Sequence, residues 1–171
     1  MGSYLNPGSA NFKMALNSQI FIDKSNLIET VNKSVNTLQR FICVSRPRRF
    51  GKSMAADMLA AYYDCGEDTS VLFDKLKIGK SESYKIHLNQ YDVIKINMQQ
   101  FLTAAPNMDD MLFLLQKGVL SELRRKYPDY VDTDYLTFAM NDIYSNTRRP
   151  FVILIDEWDC LFREYQHDQK S

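Results

Sequence analysis

Three short apolar runs, separated by segments of helical periodicity, are the sequence feature that most constrains the fold. The runs occupy residues 41–44, 93–98 and 150–155, and each has the length and composition of a strand buried on both faces of a parallel sheet. Between them, apolar side chains recur at helical spacing in residues 54–63, 107–127 and 132–146. Because strands that alternate with helices pair in parallel through helical crossovers, this pattern predicts an α/β fold with a mainly parallel sheet flanked by helices.

Length and local signals complete the outline of the fold. The 171 residues suit one compact domain, residues 1–171. Residues 1–20 mix Asn, Pro, Gly and Ser with a few apolar anchors, which predicts an irregular lead-in. A helix is expected after Ser25, whose hydroxyl would cap its first turn.

Composition and charge exclude several classes of protein. The chain is 45% hydrophobic and 25% charged, unlike a collagen-like or disordered protein. Its 21 Lys and Arg residues balance its 21 Asp and Glu residues, so no overall positive field draws it to nucleic acid. No apolar run approaches the ~20 residues of a membrane span, and the first residues lack the pattern of a signal peptide. Cys43, Cys65 and Cys160 form no CxxC pair. We therefore expect a cytoplasmic protein with free thiols and no membrane contact.

Residues 45–53 have the pattern of a phosphate-binding loop, because they join an apolar run to a helical segment. Gly51 lets the backbone approach a phosphate at a helix N-terminus. Lys52 can reach the β- and γ-phosphates and assist catalysis there, and the Ser53 hydroxyl can bind Mg²⁺. Arg46 stands where the usual pattern has its first glycine. The alternative interpretation is a basic loop that caps the helix.

The other residues of this loop are also candidates for nucleotide contact. Pro47 is expected to bend the entry of the loop, and Phe50 directly precedes Gly51. Arg46, Arg48 and Arg49 can add guanidinium contacts to a triphosphate, face a nucleic acid, or simply be solvated.

An acidic pair, Asp156 and Glu157, follows the apolar run 151–155 directly. This is the Walker B arrangement, in which a buried strand ends beside the nucleotide. Asp156 would bind Mg²⁺ together with Ser53, and Glu157 would act as the general base toward the attacking water. Either acid could instead be a surface carboxylate. The two segments together predict a Mg-ATP site at the carboxyl ends of the strands, and an ATPase activity.

Four segments resemble the bacterial predicted AAA-ATPase-like family: residues 21–25 (FIDKS), 46–53 (RPRRFGKS), 72–78 and 155–159 (IDEWD). Arg46 matches that family's own loop. The resemblance implies an ATP-binding P-loop NTPase-like fold, and members often carry a nuclease-like domain of the PD-(D/E)XK type further along the chain. The segment containing Asp23 and Lys24 is expected either to pack near the base of the nucleotide or to cap a helix.

Only 16 residues follow Ile155 (171 − 155), which predicts a domain truncated after the Walker B strand. P-loop ATPases with a glutamate after the Walker B aspartate place a further strand beside the Walker B strand. A sheet without it would have an open slot, which predicts self-association. The alternative function is a non-catalytic module that senses nucleotide, or that docks a protein or nucleic acid through its arginine loop. Asn97, at the end of a predicted strand, is expected to be hydrogen-bonded locally rather than to line the site.

Overall fold

Helices lie on both faces of a parallel strand pair, β1 (Asp92–Asn97) and β2 (Phe151–Asp156). The computed structural model describes residues 2–45 and 51–162. Before β1 come α1 (Ala10–Leu16), α2 (Asn26–Asn32), α3 (Lys52–Tyr63), α4 (Ser70–Phe73), a 3₁₀ turn (Lys77–Lys80) and α5 (Tyr84–His87). Between the strands come α6 (Met98–Ala104), α7 (Met108–Lys126) and α8 (Leu136–Thr147). The α/β prediction is confirmed in this form, a small two-stranded parallel sheet flanked by helices.

The two strands pair in full register, so both end at the same edge of the sheet. Asp92 faces Phe151 at one end of the pair, and Asn97 faces Asp156 at the other. The predicted strands at 93–98 and 150–155 are therefore confirmed to within one residue.

Alternation along the strands divides the core into two clusters. Val93 points to the cluster formed with α1 to α4 and the 3₁₀ turn, whose largest fully buried members are Phe12, Ile28, Tyr62, Tyr63, Phe73 and Ile78. Ile94 and Ile96 point to the opposite cluster, formed with α6, α7 and α8, whose members include Met111, Val119, Leu123, Ala139 and Ile143. The helices predicted from residues 51, 107 and 132 onward are confirmed as α3, α7 and α8.

The amino-terminal residues are more ordered than the sequence predicts. They form α1, and residues 4–6 run along the edge of β1 that β2 leaves free. The Asn6 N–H donates to the Val93 carbonyl (2.7 Å), and the Lys95 N–H donates to the Tyr4 carbonyl (2.8 Å). The expectation of an irregular lead-in was wrong here because a sheet edge offers backbone groups that no local pattern reveals.

A carboxylate of α7 fixes this amino-terminal segment. Glu122, only 7% exposed, accepts hydrogen bonds from the backbone N–H groups of Ser3 (2.7 Å), Tyr4 (2.9 Å) and Leu5 (2.7 Å). Three donors on one buried carboxylate satisfy a charge that would otherwise be costly to bury.

The predicted strand at residues 41–44 was wrong. These residues are irregular and largely exposed, with Phe41 86% exposed. A strand forms only where a neighbouring backbone completes its hydrogen bonds. Among the described residues, 41–44 pair with no strand: β2 and residues 4–6 occupy both edges of β1, and residues 41–44 do not lie along the second edge of β2.

The helix after Ser25 is confirmed as α2, but the predicted cap is not. The Ser25 hydroxyl accepts a hydrogen bond from the Ile78 N–H (3.0 Å) rather than from its own helix. All three cysteines are free thiols, as expected. No helix among the described residues combines the length and apolar character needed to cross a bilayer.

Candidate nucleotide-binding site

The direction of α3 decides which residues can meet at the edge where the strands end. At the carboxyl end of the helix, the Tyr91 N–H donates to the Tyr63 carbonyl (3.0 Å), just before β1 begins. Midway along, Asp57 forms an ion pair with Lys95 in the middle of β1. A helix of 12 residues and a strand of 6 are both roughly 18–20 Å long. The helix therefore runs antiparallel to β1, and residues 51–53 lie toward the carboxyl ends of both strands.

Gly51 begins α3 in a conformation that favours glycine. Its φ is +77°, in the left-handed region, and its carbonyl accepts the first helical hydrogen bond, from the Ala55 N–H (3.0 Å). Lys52 is half-buried and Ser53 is exposed, and the first turn of α3 contains no acidic residue. The amides of this turn have no acceptors within the helix, so they and the helix dipole favour an anion.

The remaining loop residues that the sequence singles out are Arg46, Pro47, Arg48, Arg49 and Phe50, and they lie outside the described residues.

Asp156 and Glu157 form a strained turn at the end of β2. Asp156 is 8% exposed, and its Oδ1 accepts a hydrogen bond from the Glu157 N–H (2.9 Å). Glu157 has a φ of 55°, which is left-handed and rare for a residue with a side chain. Backbone strain of this kind costs of order 1–3 kcal/mol and clusters at functional sites.

Residues 51–53 and Asp156 lie within the segment that a protein-family model matches. The model of a family described as predicted AAA-ATPase matches residues 8–171. The chain belongs to this predicted AAA-ATPase family. Membership implies an ATPase-like role that uses a nucleotide. Comparisons with curated proteins and with solved structures each returned no match.

In this member of the predicted AAA-ATPase family, the side chain of Asn97 is hydrogen-bonded to a nearby backbone group. It faces Asp156 across the sheet, but its side-chain oxygen accepts a hydrogen bond from the Gln99 N–H (3.0 Å) and so caps α6. The expectation of a locally satisfied amide is confirmed.

The segment containing Asp23 and Lys24 does not cap α2, because Asp23 joins the residue before that helix to the 3₁₀ turn. Its carboxylate accepts hydrogen bonds from the N–H groups of Ser25 and Lys77, both 2.8 Å long. Burial alone raises the pKa of Asp23, but these hydrogen bonds hold it below its ordinary value.

Lys24 lies near the start of α3, and from the sequence only the family resemblance pointed to its segment, with packing near the base of the nucleotide as one of two expectations. Its ammonium lies 3.7 Å from the position that a Cβ on Gly51 would take. Gly51 lies 27 residues further along the chain (51 − 24), with α2 between them. No spacing rule connects positions so far apart, and only the tertiary structure brings them together.

Proposed function

We propose that this chain binds Mg-ATP at the amino end of α3 and serves as a Mg-dependent ATPase module. Residues 46–53 would be its Walker A-like loop, and residues 151–157 its Walker B segment. One observation carries the proposal. The antiparallel course of α3 directs Gly51, Lys52 and Ser53 toward the sheet edge at which β2 ends in Asp156.

The residues at the start of α3 supply what a triphosphate needs. The free amides of the first turn and the helix dipole favour its negative charge. The Lys52 ammonium would contact the β- and γ-phosphates and stabilise the charge that develops during transfer. Arg46, Arg48 and Arg49 would add charged hydrogen bonds, and the backbone of Pro47 and Phe50 would complete the loop around the phosphates.

The available oxygen ligands fit magnesium. Among the described residues, no group of three or more His, Cys, Asp or Glu side chains could hold a metal. Mg²⁺ in nucleotide sites needs no such cage, because it takes one or two protein oxygens together with phosphate oxygens and water. The Ser53 hydroxyl and the Asp156 carboxylate are hard oxygen ligands of this kind. When bound, the ion would neutralise charge on the phosphates.

Glu157 would orient the attacking water and accept its proton. The water oxygen bonds to the γ-phosphorus while the bond to the β,γ-bridging oxygen breaks, so the products are ADP and inorganic phosphate. The left-handed backbone of Glu157 supports a functional role, because a structural turn at this position would ordinarily use glycine or asparagine.

Calorimetric titration of Mg-ATP into the wild-type chain and into Lys52→Ala tests the proposal. We expect saturable binding by the wild type and its loss in Lys52→Ala. Lys117→Ala is the matched control, because Lys117 is exposed on α7, on the opposite face of the sheet, and it should bind ATP normally. Folded wild-type protein that binds no nucleotide would contradict the proposal.

Phosphate release, measured beside the titration, separates the ATPase from the non-catalytic alternative. Binding with release of phosphate supports the ATPase, whereas binding without turnover supports a nucleotide-sensing module. A module that docks nucleic acid through Arg46, Arg48 and Arg49 would keep its partner in Lys52→Ala. It would also lose affinity steeply as the salt concentration rises.

A further inference from the structure

We infer that Lys24 is a second lysine of the phosphate site, contacting the polyphosphate of a nucleoside di- or triphosphate at the start of α3. The inference rests on the proposed function and adds a binding residue to it. Its starting point is the short approach of the Lys24 ammonium to Gly51, the residue that begins α3.

The backbone on both sides of Lys24 is firmly anchored. Asp23 accepts two backbone hydrogen bonds, and Ser25 is fully buried with its hydroxyl bonded to the Ile78 N–H. The Lys24 carbonyl itself accepts the first hydrogen bond of α2, from the Leu27 N–H (3.0 Å). The Lys24 side chain therefore extends from a fixed backbone position, which reduces the entropy lost when its ammonium binds a ligand.

The surroundings of the Lys24 stem are apolar. Lys24 lines a small cavity with Phe12, Phe21, Met54 and Met58. This cavity holds about 10 Å³, which is room for about one water and far too little for a nucleotide base. The long stem can pack here while the charged end reaches out to Gly51. The position thus suits a contact with phosphate rather than with the base.

The charge of Lys24 lies where it is electrostatically unfavourable in the free protein. Its neighbours are the positive end of the α3 dipole and the first turn that contains Lys52, and that turn has no acidic residue. No carboxylate of the described residues lies within ion-pair distance of Lys24. The half-buried lysines Lys95 and Lys126 differ in this respect, since they pair with Asp57 and Asp92. An anion bound at Gly51 would give the Lys24 ammonium an ionic partner, which no described residue gives it.

The test compares Lys24→Met, Lys24→Arg and the control Lys33→Met in titrations with Mg-ATP and with inorganic tripolyphosphate. Lys33 is an exposed lysine at the end of α2 whose partner is Glu29. We expect Lys24→Met to weaken binding of both ligands about tenfold or more, as the loss of a charged hydrogen bond does. Lys24→Arg should recover part of that loss, and Lys33→Met should bind as the wild type does.

Thermal unfolding of the ligand-free proteins distinguishes a ligand contact from a structural role. Removing an unfavourable charge should raise the melting temperature of Lys24→Met by roughly 1–4 °C, although binding is weaker. A lower melting temperature together with weaker binding would overturn the inference, because Lys24 would then act through the fold.

The titrations separate failure of this inference from failure of the proposed function. If Lys24→Met binds both ligands as tightly as the wild type, Lys24 is not a phosphate contact, and the proposed function stands. If the wild type binds neither Mg-ATP nor tripolyphosphate, both are overturned.

Discussion

Glu157 combines an unusual backbone conformation with a proposed catalytic side chain, and the two can be tested separately. Its left-handed φ of 55° is a property of the main chain, whereas the proposed role as general base belongs to the side chain. Substitutions can change one and keep the other. A glutamate is more strained than a glycine in a left-handed conformation. Strain of this kind persists mainly at functional sites.

We predict that Glu157→Gln lowers ATP turnover by roughly 10²- to 10⁴-fold, the usual loss for a general base. ATP affinity should change little, because the substitution keeps the shape of the side chain. Phosphate release measured beside calorimetric titration tests both statements.

Glu157→Gly is the matched variant for Glu157→Gln. It should lose turnover equally, and glycine adopts this φ without strain. Normal turnover in Glu157→Gln would exclude Glu157 as the base and would leave its strained backbone without a catalytic explanation.

At the scale of elements, the start of β1 joins parts of the chain that are far apart in sequence. Asp92 is fully buried and accepts hydrogen bonds from the Asn6 side chain (2.7 Å), the Lys126 ammonium (2.6 Å) and the Tyr127 hydroxyl (2.6 Å). The carboxylate thus ties the amino-terminal segment and the end of α7 to the sheet. Burial raises the pKa of Asp92, but these hydrogen bonds outweigh it and hold the pKa below its ordinary value.

We predict that Asp92→Asn lowers the free energy of unfolding by about 3 kcal/mol near neutral pH, because it leaves the half-buried Lys126 without its ion-pair partner. A lowered pKa means that the stabilisation is complete above the unfolded value of about 3.9 and is lost as the pH falls through the lower, folded value. Urea unfolding measured from pH 7 to pH 3 checks this.

The difference in the free energy of unfolding between the wild type and Asp92→Asn should become smaller in acid. Asp132→Asn, at an exposed aspartate in the turn after α7, is the control and should follow the wild type throughout. If this difference stayed constant down to pH 3, the charge of Asp92 would not be what stabilises the fold.

Elements with their own start and stop signals were predictable from sequence. The Asn107 side chain caps α7 by accepting from the Asp110 N–H (2.9 Å), and its apolar face is periodic, so local signals suffice. The run 41–44 has strand composition but no neighbour among the described residues, and composition says nothing about neighbours. The same division applies to the site. Residues 51–53 form a contiguous motif, whereas Lys24 joins them only through the tertiary structure.

At the scale of the whole molecule, one edge of the sheet and part of one face lack cover from the described residues. Within the described chain, β2 pairs only with β1. On the face shared with Phe151, Ile153 and Ile155 are about half exposed, at 51% and 52%. An open strand edge beside exposed apolar side chains is a common site of association.

We predict that the chain self-associates as its concentration rises and that Ile155→Lys shifts it toward the monomer. A lysine at this position would bring a charge into the interface between the two copies. Sedimentation velocity over a concentration series measures the effect. Val71→Lys, which replaces another exposed apolar residue (77% exposed) on α4, should associate as the wild type does. A wild type that stays monomeric at every concentration would contradict the prediction.

The hydrogen bonds from residues 3–5 to Glu122 can form only late in synthesis of the chain. The partners are 117 to 119 residues apart in the chain, so the first residues leave the ribosome long before the carboxylate that will hold them. At roughly 5–20 residues per second, they wait about 6–24 s. Over the last 25 residues of that interval (122 − 97), β1 has been made but Glu122 has not yet fixed residues 3–5 at its edge. Residues 3–5 therefore reach their final place only after most of α7 has been made.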